Sequence, residues 1–547
     1  MHQRSQIFRH LDQPLYDVLI IGAGINGSAA AAAAAGKGAR VLLVDEHDFG
    51  SQTSANSSNL IWGGIKYLEQ GEVKLVNELC RCRNQLLQRY PTRVREMRFL
   101  ATIPKGFRKP AWMVYSGAWL YWLMGRGKTA IPRYHRLSSL KQPLIDKRKA
   151  SAAVEYSDAW LVDNDARFTF DFARQATAHG ALAMNYLCAD SSWFEDGVWH
   201  TRLRDSLGQQ PDLMVRSKAL VNATGPWSDG FHQRNGMHSD YHHVLSKGIH
   251  LIVPRLNDVK QVLAFFASDG RLFFVIPMGH QTCIGTTDTR AERPEVGITD
   301  ADRQFVLDNV NQHLDLQQPL SITDVIAERC GVRPLAVTGS ASSAMDKTRW
   351  QGMSRKHIIE VDKAQSRLGI FGGKLTDCIN IGNEVCDSLQ SFGIELNAND
   401  DWFGEPAAPL RDAFMAAAQA MGLNQYWCEN LQEPLPERWW RRYGNHAMQL
   451  LEIVADRPEQ LAPVFANEDL RVAEVSYAAE HEMVVSLEDF MRRRTMIELT
   501  SGKQALLNQS GLAEVARILF GEQDLEQLKR YSGKSADRVN GERLHSQ

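Results

Sequence analysis

From Tyr16 to Val44 the chain passes through a short β-rich run (YDVLII), a turn with three glycines, seven consecutive alanines (Ala29–Ala35) and an apolar tetrapeptide (VLLV). Continuous apolarity over Tyr16–Ile21 predicts a parallel strand buried on both faces. The alanine run predicts a helix over Ile25–Gly36, because alanine has the highest helix propensity and leaves a small face for close packing. Val41–Val44 is then the next strand, completing one βαβ unit of about 30 residues. Further strand-like runs follow at Ala219–Val221, His250–Pro254, Leu272–Pro277 and Thr282–Asp288, and Arg367–Asp377 reads as a strand, a glycine turn and a helix start. Strand patterns stop near residue 395. Glu405–Leu410 has the composition of a linker, and the segments RDAFMAAAQAMG, NHAMQLLEIVAD, VAEVSYAAEHEMVV and LAEVARILFG beyond it are helical in pattern. The pattern therefore predicts an α/β region over residues 14–395, a helical C-terminal domain over 400–535 and a polar end after Tyr531.

The apolar stretch Ala111–Met124 (AWMVYSGAWLYWLM) falls short of the roughly 20 residues needed to cross a bilayer. Its tryptophans and its basic flanks, KGFRK and GRGK, leave two readings open: a core or interface helix, or a surface that dips into a membrane interface. A formal net charge of −2 over 547 residues gives no electrostatic case for nucleic acid. Eight scattered cysteines, with Cys80 and Cys82 spaced C-x-C, suggest neither a zinc site nor a disulfide framework. The expected setting is a reducing, cytoplasmic one, with no metal and no secretory signal.

Gly22, Gly24 and Gly27 form G-x-G-x-x-G at the strand-to-helix junction. The first glycine permits the tight turn, the second lets a phosphate approach the backbone, and the third lets the helix pack on the sheet. The helix N-terminus then offers free N–H groups and a partial positive charge to a pyrophosphate. Asp45 follows Gly22 by 23 residues, where a carboxylate would accept ribose hydroxyls. NAD and FAD both use such a turn. No second fingerprint serves a nicotinamide, whereas LVNATGPW (with Ala223, Gly225 and Trp227) and GIFGGKLTD (with Gly373, Lys374, Leu375 and Thr376) offer two more places where backbone can approach a long cofactor. Together they favour FAD.

The ordered series GAGINGS, SSNLIWGGIKYLE, PAWM, VNATGPW, SKGIHLIVPR, IGTTD, CGVRPL and FGGKLT resembles the FAD-dependent glycerol-3-phosphate dehydrogenase family over residues 14–530. The resemblance implies a doubly wound FAD-binding domain interleaved with a sheet-containing substrate domain, plus a C-terminal helical domain. It implies oxidation of sn-glycerol 3-phosphate or a related polyol phosphate to the keto product, dihydroxyacetone phosphate, with electrons passed to quinone. It also implies peripheral attachment at the inner face of the cytoplasmic membrane and a homodimer as a further partner class. Arg333, Lys374, Tyr67 and His250 match family active-site positions, and Lys66 stands where the family has arginine. Asn26, Ser54, Ser58, Gly63 and Gly64 join the glycine-turn residues as the expected flavin contacts. His250 has the more suitable intrinsic pKa for a proton acceptor, while Lys374 would need desolvation to serve.

Asn59, Trp62, Lys66 and Asp377 depart from the family pattern, where lysine, histidine, arginine and threonine are usual. The expectation is that these changes cluster where substrate and flavin meet, which leaves the exact polyol open. Oxidation of a non-phosphorylated hydroxy or amino compound, and a non-catalytic flavin-binding role, are the alternatives.

Overall fold

The computed structural model describes residues 2–12, 15–267, 271–339, 356–429 and 431–533; the polar end expected after Tyr531 lies almost wholly outside them. Two compact units emerge, one spanning Ile7–Glu405 and the other combining the N-terminal residues through Gln6 with the chain from Pro406 onward.

The first βαβ unit forms over the spans its pattern predicts: strand Tyr16–Ile21, helix Ile25–Gly36 and strand Val41–Val44. Leu19 pairs in parallel with Leu42 on one side and with Leu220 on the other. The parallel core continues outward to Leu182–Met184 and Arg367–Phe371, with Ile358–Asp362 antiparallel at one edge. Ala29 through Ala34 are fully buried. Their small side chains let helix Ile25–Gly36 sit against both Asp165–Ala178 and Cys378–Ser391, a closeness that larger side chains would prevent.

A second sheet of ten strands occupies the middle of the chain. Its two longest neighbours, Tyr241–Pro254 and Ala327–Thr338, pair antiparallel along nearly their whole length, with Ser246 opposite Arg333 and Gly248 opposite Gly331. The run expected as a strand over Thr282–Asp288 is strand only through Gly285. The chain leaves the ladder there, and Thr286 and Asp288 turn toward the cleft described below.

In the second unit, helices including Ala408–Ala420, Leu435–Tyr443, Val472–His481 and Ser510–Phe520 enclose two apolar cores. It is not wholly helical: Trp427–Cys428 pairs with Glu433–Pro434 as a minimal hairpin. Fully buried Glu474 accepts from Arg438 Nη1 at 3.0 Å, from the Tyr443 hydroxyl at 3.1 Å and from the Arg471 N–H at 3.0 Å. Burial alone would raise its pKa, but Arg438 and Arg442 hold it below the usual glutamate range.

The tightest approach in the first unit is at Gly27, where an added Cβ would lie 1.8 Å from the Gly22 carbonyl oxygen. That obstacle is backbone and cannot swing aside. Gly27→Ala should therefore cost at least about 1–3 kcal/mol, read as a lower midpoint in chemical unfolding. An unchanged midpoint would mean that helix and turn are not packed this closely.

Candidate active site

One large cleft, about 680 Å³, opens in the first unit, lined from both of its sheets. At one end lies the glycine turn. Gly22 has φ +99, a conformation that side chains resist, and an added Cβ would lie 2.6 Å from the Ala223 carbonyl oxygen. The backbone N–H of Ile25 at the helix start donates to Ser54 Oγ at 2.9 Å. Asn26 donates to the Gly372 carbonyl at 3.0 Å, while its Oδ1 is buried and unpartnered. This glycine turn at a helix start, with an orphaned acceptor beside it, fits an extended dinucleotide.

Most of the expected residues line this cleft: Gly22, Gly24, Asn26, Asp45, Ser54, Ser58, Lys66, Tyr67, Ala223, Gly225, Trp227, His250, Arg333, Gly373, Lys374, Leu375 and Thr376. Three do not. Gly27 packs on the Gly22 carbonyl, Gly63 backs onto Tyr121, and Gly64 lies against the Tyr67 ring. Asp45 already accepts from the N–H groups of Ala23 (2.7 Å) and His47 (2.8 Å) through separate oxygens. Burial nevertheless pushes its pKa up to about 7.

The four departures from the family pattern do not cluster as expected. Trp62 and Lys66 line the cleft, but Asn59 and Asp377 do not. Asn59, buried at φ +58, accepts from Arg329 Nη1 at 3.1 Å and donates to the Asp163 carbonyl at 3.2 Å. Asp377 points away toward His357 Nδ1 at 2.5 Å, and the far ring nitrogen of His357 meets Glu384 at 3.0 Å.

The opposite end of the cleft is cationic. Arg333 donates to Thr286 Oγ1 at 3.0 Å and to the Thr287 carbonyl at 3.3 Å. Its guanidinium crosses the open side of Gly248, where a Cβ would come within 2.2 Å. Gly285 leaves similar room for the His250 ring, since a Cβ there would lie 2.6 Å from its Cδ2. Lys374 Nζ is buried without a hydrogen-bond partner and stands 4.0 Å from the centre of the Tyr67 ring, a cation–π contact. Tyr67 and Phe274 both pack on Trp62, at 5.5 and 6.1 Å between ring centres. Burial first, then Arg333 and Arg329, push the His250 imidazole down to about 3. It is therefore neutral across the physiological range, and its Nδ1 has no partner. Arg271, Asp288 and Lys356 also line the cleft and were not singled out from the sequence. Asp288 closes the motif IGTTD, which was the available signal; Arg271 and Lys356 gave none that separates them from surface cations.

Residues 17–353 match the model of the FAD dependent oxidoreductase family, and residues 404–525 match the C-terminal domain of alpha-glycerophosphate oxidase. A glycerol-3-phosphate dehydrogenase of Pseudomonas aeruginosa is 32% identical over 89% of this chain and 92% of its own. The aerobic glycerol-3-phosphate dehydrogenase of Escherichia coli K12 is 32% identical over 88% and 93%. Among solved structures, glycerol-3-phosphate dehydrogenase from Bacillus halodurans complexed with FAD shares the fold, with TM-score 0.70, 23% identity and 97% coverage of both chains.

His357 generates a test of its own. Burial alone would lower its pKa, but the flanking Asp377 and Glu384 raise it to about 9. The folded state thus holds a proton that the unfolded state releases near 6.5. The resulting stability is fully present below pH 6.5 and is lost as pH rises through 9. Unfolding free energies should fall over that window by about 3 kcal/mol, and His357→Gln should flatten the slope; a variant with the wild-type slope removes His357 as its source.

Proposed function

The chain belongs to the FAD-dependent glycerol-3-phosphate dehydrogenase family, and from that premise we propose that it oxidises the secondary alcohol of sn-glycerol 3-phosphate, or of a closely related polyol phosphate. The product is the matching ketone, dihydroxyacetone phosphate in the first case, and quinone is the electron acceptor. Its cofactor is FAD. One observation carries this reading: a glycine turn suited to a dinucleotide and a cluster of cations line the same cleft. Bound FAD supplies the acceptor for a hydride, and the remaining work falls to side chains.

A dianionic phosphate needs charge-assisted donors in a dehydrated setting. Arg333 offers a fork held by Thr286 and Thr287, and Lys374 a point charge braced over Tyr67. Lys66 adds a third cation on the cleft wall. As hydride leaves carbon, the hydroxyl proton needs an acceptor, a contribution worth roughly 10²–10⁴-fold. His250, which lines the cleft, fills that role as a neutral imidazole whose buried Nδ1 carries no hydrogen-bond partner. Before substrate binds, the field of Arg333 opposes its protonation. A phosphate seated on Arg333 offsets that part of the shift, while burial, the larger cause, remains.

Anaerobic addition of sn-glycerol 3-phosphate should bleach the visible absorbance of the flavin-loaded protein, and glycerol should leave it unchanged. Bleaching by glycerol alone rejects the phosphate requirement. Bleaching by a longer polyol phosphate alone moves the substrate within the class.

A membrane-borne acceptor is best served by a protein at the membrane surface. Among the described residues no helix is long and apolar enough to cross a membrane. Helix Ala111–Met124 instead exposes Trp112 (64%), Leu120 (49%) and Leu123 (61%), with Ile131 and Tyr134 also exposed and Lys105, Arg108, Arg126 and Lys128 at its ends. Aromatic and basic residues in this arrangement suit an anionic interface. The protein should co-sediment with vesicles containing phosphatidylglycerol, and replacing Trp112, Leu120 and Leu123 together by serine should abolish this; equal sedimentation of the variant rejects the helix as the docking element.

A further inference from the structure

Behind the wall of the cleft that carries Trp62, Lys66 and Tyr67 lies a charged cluster sealed from water. Arg83, on helix Val73–Arg89, and Asp158, on strand Ala150–Leu161, are both 0% exposed. Asp158 Oδ1 accepts from Arg83 Nη1 at 3.0 Å and from the backbone N–H of Gly63 at 3.1 Å. Asp158 Oδ2 accepts from the Tyr121 hydroxyl at 2.7 Å, and Arg83 Nη1 donates to that hydroxyl at 3.1 Å. Arg83 Nη2 donates to Asn84 Oδ1 at 3.0 Å, and the Asn84 amide donates to the Gly125 carbonyl at 2.8 Å, just past the end of helix Ala111–Met124. One helix is thus joined through side chains to the backbone of one loop.

Sterics point the same way. A Cβ at Gly63 would lie 2.2 Å from the Tyr121 hydroxyl oxygen. Gly63 is not among the glycines with positive φ, so what the position needs is space. The next residue, Gly64, takes the left-handed conformation at φ +81 and starts the turn Ile65–Gln70, which presents Lys66 and Tyr67 to the cleft. The Tyr121 hydroxyl is therefore a stop against which the loop rests, and Asp158 is the tether that holds it there. Removing the hydroxyl leaves Asp158 Oδ2 without a donor in a site that excludes water, and opens a gap behind Gly63.

We propose that Tyr121, acting through Asp158 and Gly63, is a positioning residue that sets where Lys66 and Tyr67 meet the substrate. The inference rests on the polyol-phosphate reading only for the choice of assay substrate.

Tyr121→Phe tests it in the FAD-loaded, full-length protein. Flavin content and kcat per bound flavin should stay within about twofold of wild type, while KM for sn-glycerol 3-phosphate rises about tenfold. A lower melting temperature with unchanged KM would show a purely structural role and overturn the proposal. Gly63→Ala should raise KM too, by pushing the loop off its stop. The double variant should recover part of that loss, because the hydroxyl that the methyl strikes is gone; no recovery also overturns the proposal. If Tyr121→Phe does not fold, Gly63→Ala decides alone, an unchanged KM being the overturning result. If the wild-type protein oxidises no polyol phosphate, the functional reading has failed separately. The loop is then judged by inorganic phosphate titrated against the flavin spectrum: a weaker apparent Kd in Tyr121→Phe supports the proposal, and an equal one overturns it.

Discussion

Everything in the first unit depends on how closely one helix approaches one turn. With no side chain at Gly27, the Gly22 carbonyl oxygen sits where a methyl group would otherwise be. That contact brings the start of helix Ile25–Gly36 to the carboxyl ends of the parallel strands, and the N–H groups of its first turn to the edge of the cleft. The six fully buried alanines behind it let two further helices close over the same face. The glycine-turn end of the site is therefore shaped by backbone and by absent side chains, with Ser54 and Asp45 bonded to its N–H groups.

The cationic end is built differently. Arg333 and His250 come from two long antiparallel strands, and each lies over a glycine, Gly248 or Gly285, that leaves it room. Charges brought together in this way affect one another strongly. The same guanidinium suited to an anion also helps to suppress protonation of the neighbouring imidazole. Lys374 belongs to the other sheet, just past strand Arg367–Phe371, and is steadied by the Tyr67 ring. The cleft thus exists only where the two sheets meet.

This division explains what could be read from the chain. The first βαβ unit was legible to the residue, because strand, turn and helix are encoded locally by apolarity, glycine spacing and alanine. Helix Ala111–Met124 was legible for the same reason. Site residues on motifs could be named, but their company could not. Nothing near Asn59 in sequence announces Arg329, which lies 270 residues away. Nothing near Asp377 announces that it turns from the cleft to His357. The loss of strand after Gly285 was missed because TTD continues the β-rich composition while its side chains serve the cleft. The resemblance implies a flavin contact at Gly63, and nothing near it in sequence announces the Tyr121 hydroxyl, 58 positions onward in the chain, that limits the space there.

The sealed cluster of Arg83, Asp158 and Tyr121 is hard to explain as a source of stability. Removing two charges from water costs several kcal/mol per ion, and apolar replacements of similar volume are often as stable or more so. An apolar trio could fill the same space between the helices. It could not accept the Gly63 N–H, and it would leave that buried donor unpaired at a cost of about 1–3 kcal/mol. Nor would dispersion contacts fix the loop in one place, because they are non-directional, whereas a carboxylate with donors on both oxygens defines both a distance and an angle. The loop needs such definition more than the glycine turn does. It faces the cleft with large side chains on two adjacent residues, Lys66 and Tyr67, so any freedom in its backbone is multiplied at their tips. Fixing the backbone from behind leaves the front of the loop free to carry cationic and aromatic groups, and a buried ion cluster does this with no residue exposed to the cleft.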